Sequence, residues 1–242
     1  MQKELKIFAC PKTHDKIASI FSHFTRGKTI DLGAGGGALS RRLSQLGFEV
    51  EACDTSGDNF GATEIPLTIC NLNKPLPYQD ESFDYALAVQ VVEHLEHQFG
   101  FIREAGRILK KGGRFLVSTP NILSLPSRLR YLLTGSYSLF PKPLNELKKN
   151  PAHDHITATS YQRLRYLLHT NGFKIIKIAA DRIRKSACFL LPLYPVLYLG
   201  TLYSLSAEKD EMQQTANKEI KRHLLSPALL LSRSLIVVAE KI

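Results

Sequence analysis

The stretch TIDLGAGGGALS, residues 29–40, decides the fold. An apolar run ends in an acid, Asp31; glycines follow at 33, 35 and 37, and Ala38 then begins a helical pattern. Glycines at this spacing let the backbone turn sharply and approach a ligand closely, and the helix that follows offers unpaired N–H groups at its start. A nucleotide-like ligand fits such a loop. Read alone, Gly33-x-Gly35-x-x-Ala38 also satisfies the dinucleotide fingerprint, with Asp54 near the ~20-residue offset of a ribose-binding acid. Asp31 tilts the reading, because a carboxylate at the strand end favours a ligand with a cationic group and repels a pyrophosphate.

Outward from the loop, strand and helix patterns alternate, as in a parallel sheet covered on both faces. Strands are expected at Thr29–Leu32, Phe48–Cys53, Leu67–Cys70, Phe83–Gln90 and Arg114–Ser118. Helices are expected at Ala38–Leu46 and Phe99–Leu109, where apolar residues recur every three or four positions. A stretch with several prolines, 122–151, interrupts the alternation and reads as an insertion near the site. The pattern resumes with a helix over Ser160–His169, stopped by Asn171-Gly172, then strands Phe173–Ala179 and Ser234–Ala239. A second insertion, apolar and then basic, fills 186–232.

The 242 residues suit one α/β domain with embellishments, spanning 1–242. With 44% hydrophobic and 22% charged residues the composition is that of a folded chain. Cys10, Cys53, Cys70 and Cys188 form no CxxC pair and no metal-ligand spacing, which points to a reducing compartment. The opening MQKELKIFAC is charged where a secretory signal needs an apolar core, so a cytoplasmic protein is expected. A formal net charge of +10 favours an anionic partner without saying which.

Asp31, Gly33, Gly35 and Gly37 resemble the first motif of the class I methyltransferases that use S-adenosylmethionine (SAM), and the similarity extends to the ubiquinone-pathway, type 11 small-molecule group. VEACD, ending in Asp54, resembles the segment whose acid binds the ribose hydroxyls. CNLNKPLPYQDESFD puts Asn71 where the family usually has an Asp near the adenine amine. SFDYALAVQVVEHLEH and REAGRILKKGGRFLVSTPN resemble the fourth strand and its loop, then the next helix, Gly-Gly turn and fifth strand. The resemblance implies a seven-stranded, mostly parallel, doubly wound sheet with an antiparallel last strand. It also implies SAM as cofactor, held by Asp31, Gly33, Ala34, Gly35, Gly37, Asp54, Asn71, Leu72 and Gln90.

Three residues are candidates for catalysis: Glu93, His94 and His155. Relatives in the ubiquinone and small-RNA groups carry a Glu-x-x-Glu-His metal cluster after the fourth strand. Here Gln90 takes the first place, and a neutral amide is a poorer ligand for a hard divalent cation, so no metal is expected. Glu93 and His94 could equally cap or pair at a helix start. In the run His153-Asp154-His155, His155 matches a histidine that faces the acceptor in related enzymes and is the candidate general base. The plainer alternative makes it a helix cap together with Thr157 and Thr159.

The resulting expectation is O-methylation of a small or lipid-linked acceptor at a membrane surface. Alternatives are an RNA or other nucleic-acid methyltransferase, favoured by charge, and a catalytically degenerate SAM-binding scaffold, favoured by Asn71 and Gln90. A nicotinamide dehydrogenase comes fourth. No Asn/Asp-Pro-Pro-aromatic motif and no appended RNA-binding module are present, so a nucleic-acid partner is not expected. Ser186 to Ala207 carries no charge and three tyrosines, with Arg182, Arg184 and Lys185 before it and Lys218, Lys221 and Arg222 after it. Pro192 and Pro195 should prevent a continuous spanning helix. Peripheral attachment to anionic lipid follows, with a lid or dimer face as the alternative.

Overall fold

A computed structural model describes residues 5–140, 144, 147 and 154–242. Much of the second half of the 122–151 insertion, and His153, lie outside the described residues. The chain forms a seven-stranded sheet in the order β3-β2-β1-β4-β5-β7-β6. Its strands are β1 (Lys28–Leu32), β2 (Glu49–Asp54), β3 (Leu67–Ile69), β4 (Phe83–Val89), β5 (Leu109–Pro120), β6 (Phe173–Ala180) and β7 (Ser234–Lys241). Strand β7 runs antiparallel to both β5 and β6, and the pairs among β1 to β5 are parallel. The α/β doubly wound sheet with an antiparallel last strand is therefore the fold.

Alternation along the strands sends neighbouring side chains into two separate cores. In β7, Leu235, Val237 and Ala239 join one cluster while Ile236 and Val238 join the other. Helices α3 (Gln98–Ile108) and α5 (Tyr161–His169) cover the first face through Phe101, Ile102, Leu164 and Leu167. Helices α1 (Pro11–Phe21) and α2 (Ala38–Gln45) cover the second through Ile17, Phe21, Leu39 and Leu43. Strand order reverses between β1 and β4, and such a switch point opens a crevice at the carboxyl ends of the strands.

Both insertions leave from that same edge. Helix α4 (Leu125–Thr134) follows the carboxyl end of β5. The second insertion leaves the end of β6 as α6 (Lys185–Cys188), a 3₁₀ turn at Leu191–Leu193, α7 (Tyr194–Ser206), α8 (Glu211–Leu224) and α9 (Pro227–Leu231). It returns to β7 at Ser234, beside Pro120 of β5. Pro195 does not interrupt a helix but occupies the first turn of α7, where its missing N–H is not needed. Among the described residues no helix is long and apolar enough to cross a membrane.

One expectation is corrected. Cys53 and Cys70, read from the sequence as separate thiols, are joined by a disulfide with their Cα atoms 6.2 Å apart. Parallel pairing of β2 with β3 brings together two positions that the sequence separates by 17 residues. The argument for a reducing compartment from unpaired cysteines falls with it.

Candidate active site

After β1 the chain folds over the end of β2, where the N–H groups of Gly33 and Ala34 both donate to the Cys53 carbonyl at 2.8 and 3.1 Å. The turn requires left-handed backbone at Gly33 (φ 85°), Gly35 (φ 55°) and Gly37 (φ 76°). A Cβ on Gly33 would also stand 2.5 Å from a Val91 methyl. The turn delivers the chain into α2, whose N-cap is Gly37.

Asp54, at the end of β2, is fixed by the same loop. One carboxylate oxygen accepts the Gly35 N–H at 2.7 Å, and the other accepts the Thr55 N–H at 2.7 Å. A carboxylate has about four acceptor positions, so capacity remains for a ribose hydroxyl. Asp31, near the end of β1, lies under the loop. It is buried, 2% exposed, and accepts the Ser40 hydroxyl at 2.6 Å. Burial, against that hydrogen bond and with the Asp54 charge adding to it, raises its pKa to about 6.

A cavity of about 1060 Å³ opens over the switch point. Of the residues singled out in the sequence, Gly33, Gly35, Asp54, Asn71, Leu72, Gln90, His94 and His155 line it. Asp31, Ala34, Gly37 and Glu93 stand behind the wall. The volume is at the upper end of small-molecule sites, enough for a cofactor and an acceptor together. The fixed carboxylate, the open glycine backbone and the apolar Leu72 beside Asn71 fit an adenosyl group.

Gln90, like Leu139 (φ 68°), is a cavity-lining residue with strained backbone. Its φ of 56° lies in the left-handed region, sparsely populated by side-chain-bearing residues. Strand β5 holds it there: Gln90 N–H donates to the Ser118 carbonyl and its Nε2 to the Ser118 hydroxyl, each at 2.9 Å. The strain turns the chain from β4 into the 3₁₀ turn Val92–His94.

Also lining the cavity, His94 and His155 meet edge to face, ring centroids 4.9 Å apart. Thr157 brings them together, donating its N–H to the Glu93 carbonyl at 3.0 Å and its hydroxyl to the Leu95 carbonyl at 3.1 Å. The helix-cap alternative for His155 does not hold, since Ser160 caps α5 by accepting the Arg163 N–H. His155 Nδ1 lies 2.9 Å from the Leu139 carbonyl, and His94 Nδ1 lies 2.9 Å from that of Asp154. A carbonyl only accepts, so each ring carries its proton on Nδ1, and when neutral its Nε2 is a proton acceptor.

Glu93 is wholly buried, and neither carboxyl oxygen has a hydrogen-bond partner of acceptable geometry. Burial pushes its pKa up to about 8, with a small opposing pull from its own backbone amide and the Thr119 hydroxyl. Thr119 Oγ1 itself makes no geometrically sound bond. Ligand atoms of Glu93, His94 and His155 all lie within 4.8 Å of one another, close enough for one small cation.

Two parts of the wall had no signal in the sequence. Phe8, Ala9 and Cys10 come from the opening segment, and Arg233 and Ser234 from the start of β7. None belongs to a motif; the fold alone carries them to the cavity.

A family profile for the methyltransferase domain matches residues 2–178. Among curated proteins the chain is 27% identical over 164 residues to the mitochondrial ubiquinone biosynthesis O-methyltransferase of Mus musculus, 63% of this chain and 42% of that protein. It is 31% identical over 144 residues to the ubiquinone biosynthesis O-methyltransferase of Bartonella tribocorum, 52% of this chain and 58% of that protein. The match thus spans about half the length of these relatives. Among solved structures, a SAM dependent methyltransferase from Archaeoglobus fulgidus is similar at a TM-score of 0.58 and 17% identity, covering 94% of each chain. At that identity the likeness speaks for the fold.

Proposed function

We propose, from the premise that this chain belongs to the methyltransferase-domain family, that it methylates a hydroxyl of a small or lipid-linked acceptor at a membrane surface. It is a SAM-dependent methyltransferase. The observation that carries the finer reading is one cavity lined both by Gly33, Asp54 and Asn71 and by the His94–His155 pair.

SAM supplies a methyl group already activated on a sulfonium, so the chain's part is mainly orientation. Asp54 accepts from the ribose, Leu72 and Asn71 border the adenine, and Gln90 shapes the wall between cofactor and acceptor. Asp31, beneath the loop, contributes negative charge towards a cationic amino group. His155, with its proton on Nδ1, takes the acceptor hydroxyl's proton at Nε2. Glu93, uncharged at neutral pH, adds no negative charge there. On this reading no metal is needed, and turnover is unchanged by EDTA.

The insertions that leave the carboxyl ends of β5 and β6 support a lipid-facing acceptor. Helix α7 has no buried residue and no charge, and it exposes Val196, Leu199 and Tyr203. Leu132 and Leu133 of α4 are 79% and 73% exposed, and α4 packs against α6. Exposed apolar surface on this scale marks an interaction site, and the basic residues flanking α7 suit anionic headgroups. On this reading the protein works as a peripheral protein at that surface.

The test is transfer of a radiolabelled methyl from SAM to lipid, quinone-like, glycan and RNA fractions. Label in the lipid-extractable phase is expected, and label confined to RNA overturns the acceptor class. Flotation on anionic liposomes at low salt should carry the full chain but not a variant lacking residues 187–206. A full chain that stays in the soluble fraction makes α7 a lid or dimer face.

A further inference from the structure

Of the glycines between positions 33 and 37, Gly36 has no left-handed φ, so its backbone would tolerate a side chain. What excludes one is the opening segment: a Cβ there would stand 2.1 Å from the Lys6 carbonyl oxygen. A Cβ on Gly35 would lie 3.0 Å from the Phe8 ring, and one on Gly61 would lie 2.7 Å from a Leu5 methyl. Residues 5–10 therefore cross the glycine loop as a strap, on the side where Phe8 and Gly35 both line the cavity.

The strap is held from its sides. Lys6 Nζ lies 4.6 Å from the Phe8 ring centroid and 3.5 Å from Asn59 Oδ1. Cys10 Sγ accepts from Arg182, and Thr13, in α1, donates to Asp181. Among the described residues no backbone hydrogen bond joins residues 5–9 to the loop beneath. Phe8 itself is 54% exposed, an aromatic ring on a cavity wall with half its surface uncovered. A segment anchored at its downstream end and free of backbone bonds over the loop can lift at low cost.

We propose that residues 5–10 form the outer wall of the cofactor site. Phe8 packs on the bound nucleoside-type cofactor, and Gly36 is glycine to seat the strap rather than to admit the ligand. This rests on the SAM-dependent reading of the same cavity. Lifting the strap admits the cofactor; closing it covers the uncovered half of Phe8. Covering about half of a phenylalanine side chain corresponds to roughly a tenfold gain in affinity.

The experiment uses the full chain and S-adenosylhomocysteine, the demethylated cofactor. Calorimetry is run on the wild type and on Phe8→Ala, Gly36→Ala and Ile176→Ala, Ile176 being an exposed residue of β6, outside the strap and not lining the cavity. In parallel, tryptic cleavage of the Lys6–Ile7 bond is followed by intact mass with and without the ligand. Phe8→Ala and Gly36→Ala should each weaken binding about tenfold, and Ile176→Ala should not. The ligand should slow cleavage after Lys6 in the wild type and much less in Gly36→Ala. If the wild type binds while Phe8→Ala keeps its affinity within about twofold and cleavage is unaffected by ligand, the strap proposal is overturned and the methyltransferase reading stands. If the wild type binds neither this ligand nor SAM, both are overturned. Should Gly36→Ala fail to fold, Phe8→Ala and the wild-type cleavage decide.

Discussion

Replacing Glu93 with glutamine keeps the shape of a wholly buried side chain and removes its titration. In the unfolded chain this carboxyl ionises near 4.5, and in the folded protein near 8, because burial denies the charge both water and a hydrogen-bond partner. Between those values the unfolded state binds fewer protons than the folded one, so stability falls as pH rises. The loss starts near pH 4.5, has a slope of about 1.4 kcal/mol per pH unit, and levels off above about 8. The ceiling is about 5 kcal/mol, with about 3 kcal/mol already lost at pH 7. Glutamine carries no such dependence. Urea unfolding of ligand-free wild type and Glu93→Gln from pH 5 to 9 should therefore diverge, the variant gaining relative stability up to about pH 8 and holding that gain to pH 9. Parallel stability profiles, with a difference that stays constant across that range, would refute the assignment of a buried neutral carboxyl.

Asp54→Ala should weaken SAM by about 1 to 3 kcal/mol, the cost of losing hydrogen bonds to a charged group, read by calorimetry; unchanged affinity would remove it from the site. Gly35→Val should abolish binding, because left-handed backbone and the Phe8 ring both oppose a branched side chain. Asp31→Ala should do the same, and wild-type affinity for SAM should fall as pH drops through about 6 and Asp31 is neutralised. Binding that is flat from pH 5 to 8 would argue against a role for its charge. His155→Ala should lower turnover by about 10²- to 10⁴-fold on a hydroxyl acceptor while leaving SAM binding intact. Full turnover would return the histidine to a structural role.

Local patterning in the sequence was enough for the sheet and for one half of the site. The continuous apolar run of β7, buried on both faces, and the apolar spacing of α2 and α3 are local patterns, and such patterns survive without contacts. The glycines at 33, 35 and 37 announce left-handed backbone, a requirement written into residue type. Asp54 and Asn71 follow at strand ends, so order along the chain gave their place. Tertiary structure alone decided the rest. Asp31 went beneath the loop to Ser40, 9 residues on, because helix α2 folds back over β1. Cys53 reached Cys70 because β2 and β3 run side by side. His94 and His155 lie 61 positions apart and meet through Thr157, which no local pattern could foretell. The strap is the extreme case: Gly36 and Lys6 are 30 residues apart, and the reason for a glycine there lies in a carbonyl oxygen that only the folded chain brings to it. Short-range backbone preference is encoded position by position, whereas contacts between distant segments depend on how every intervening element packs.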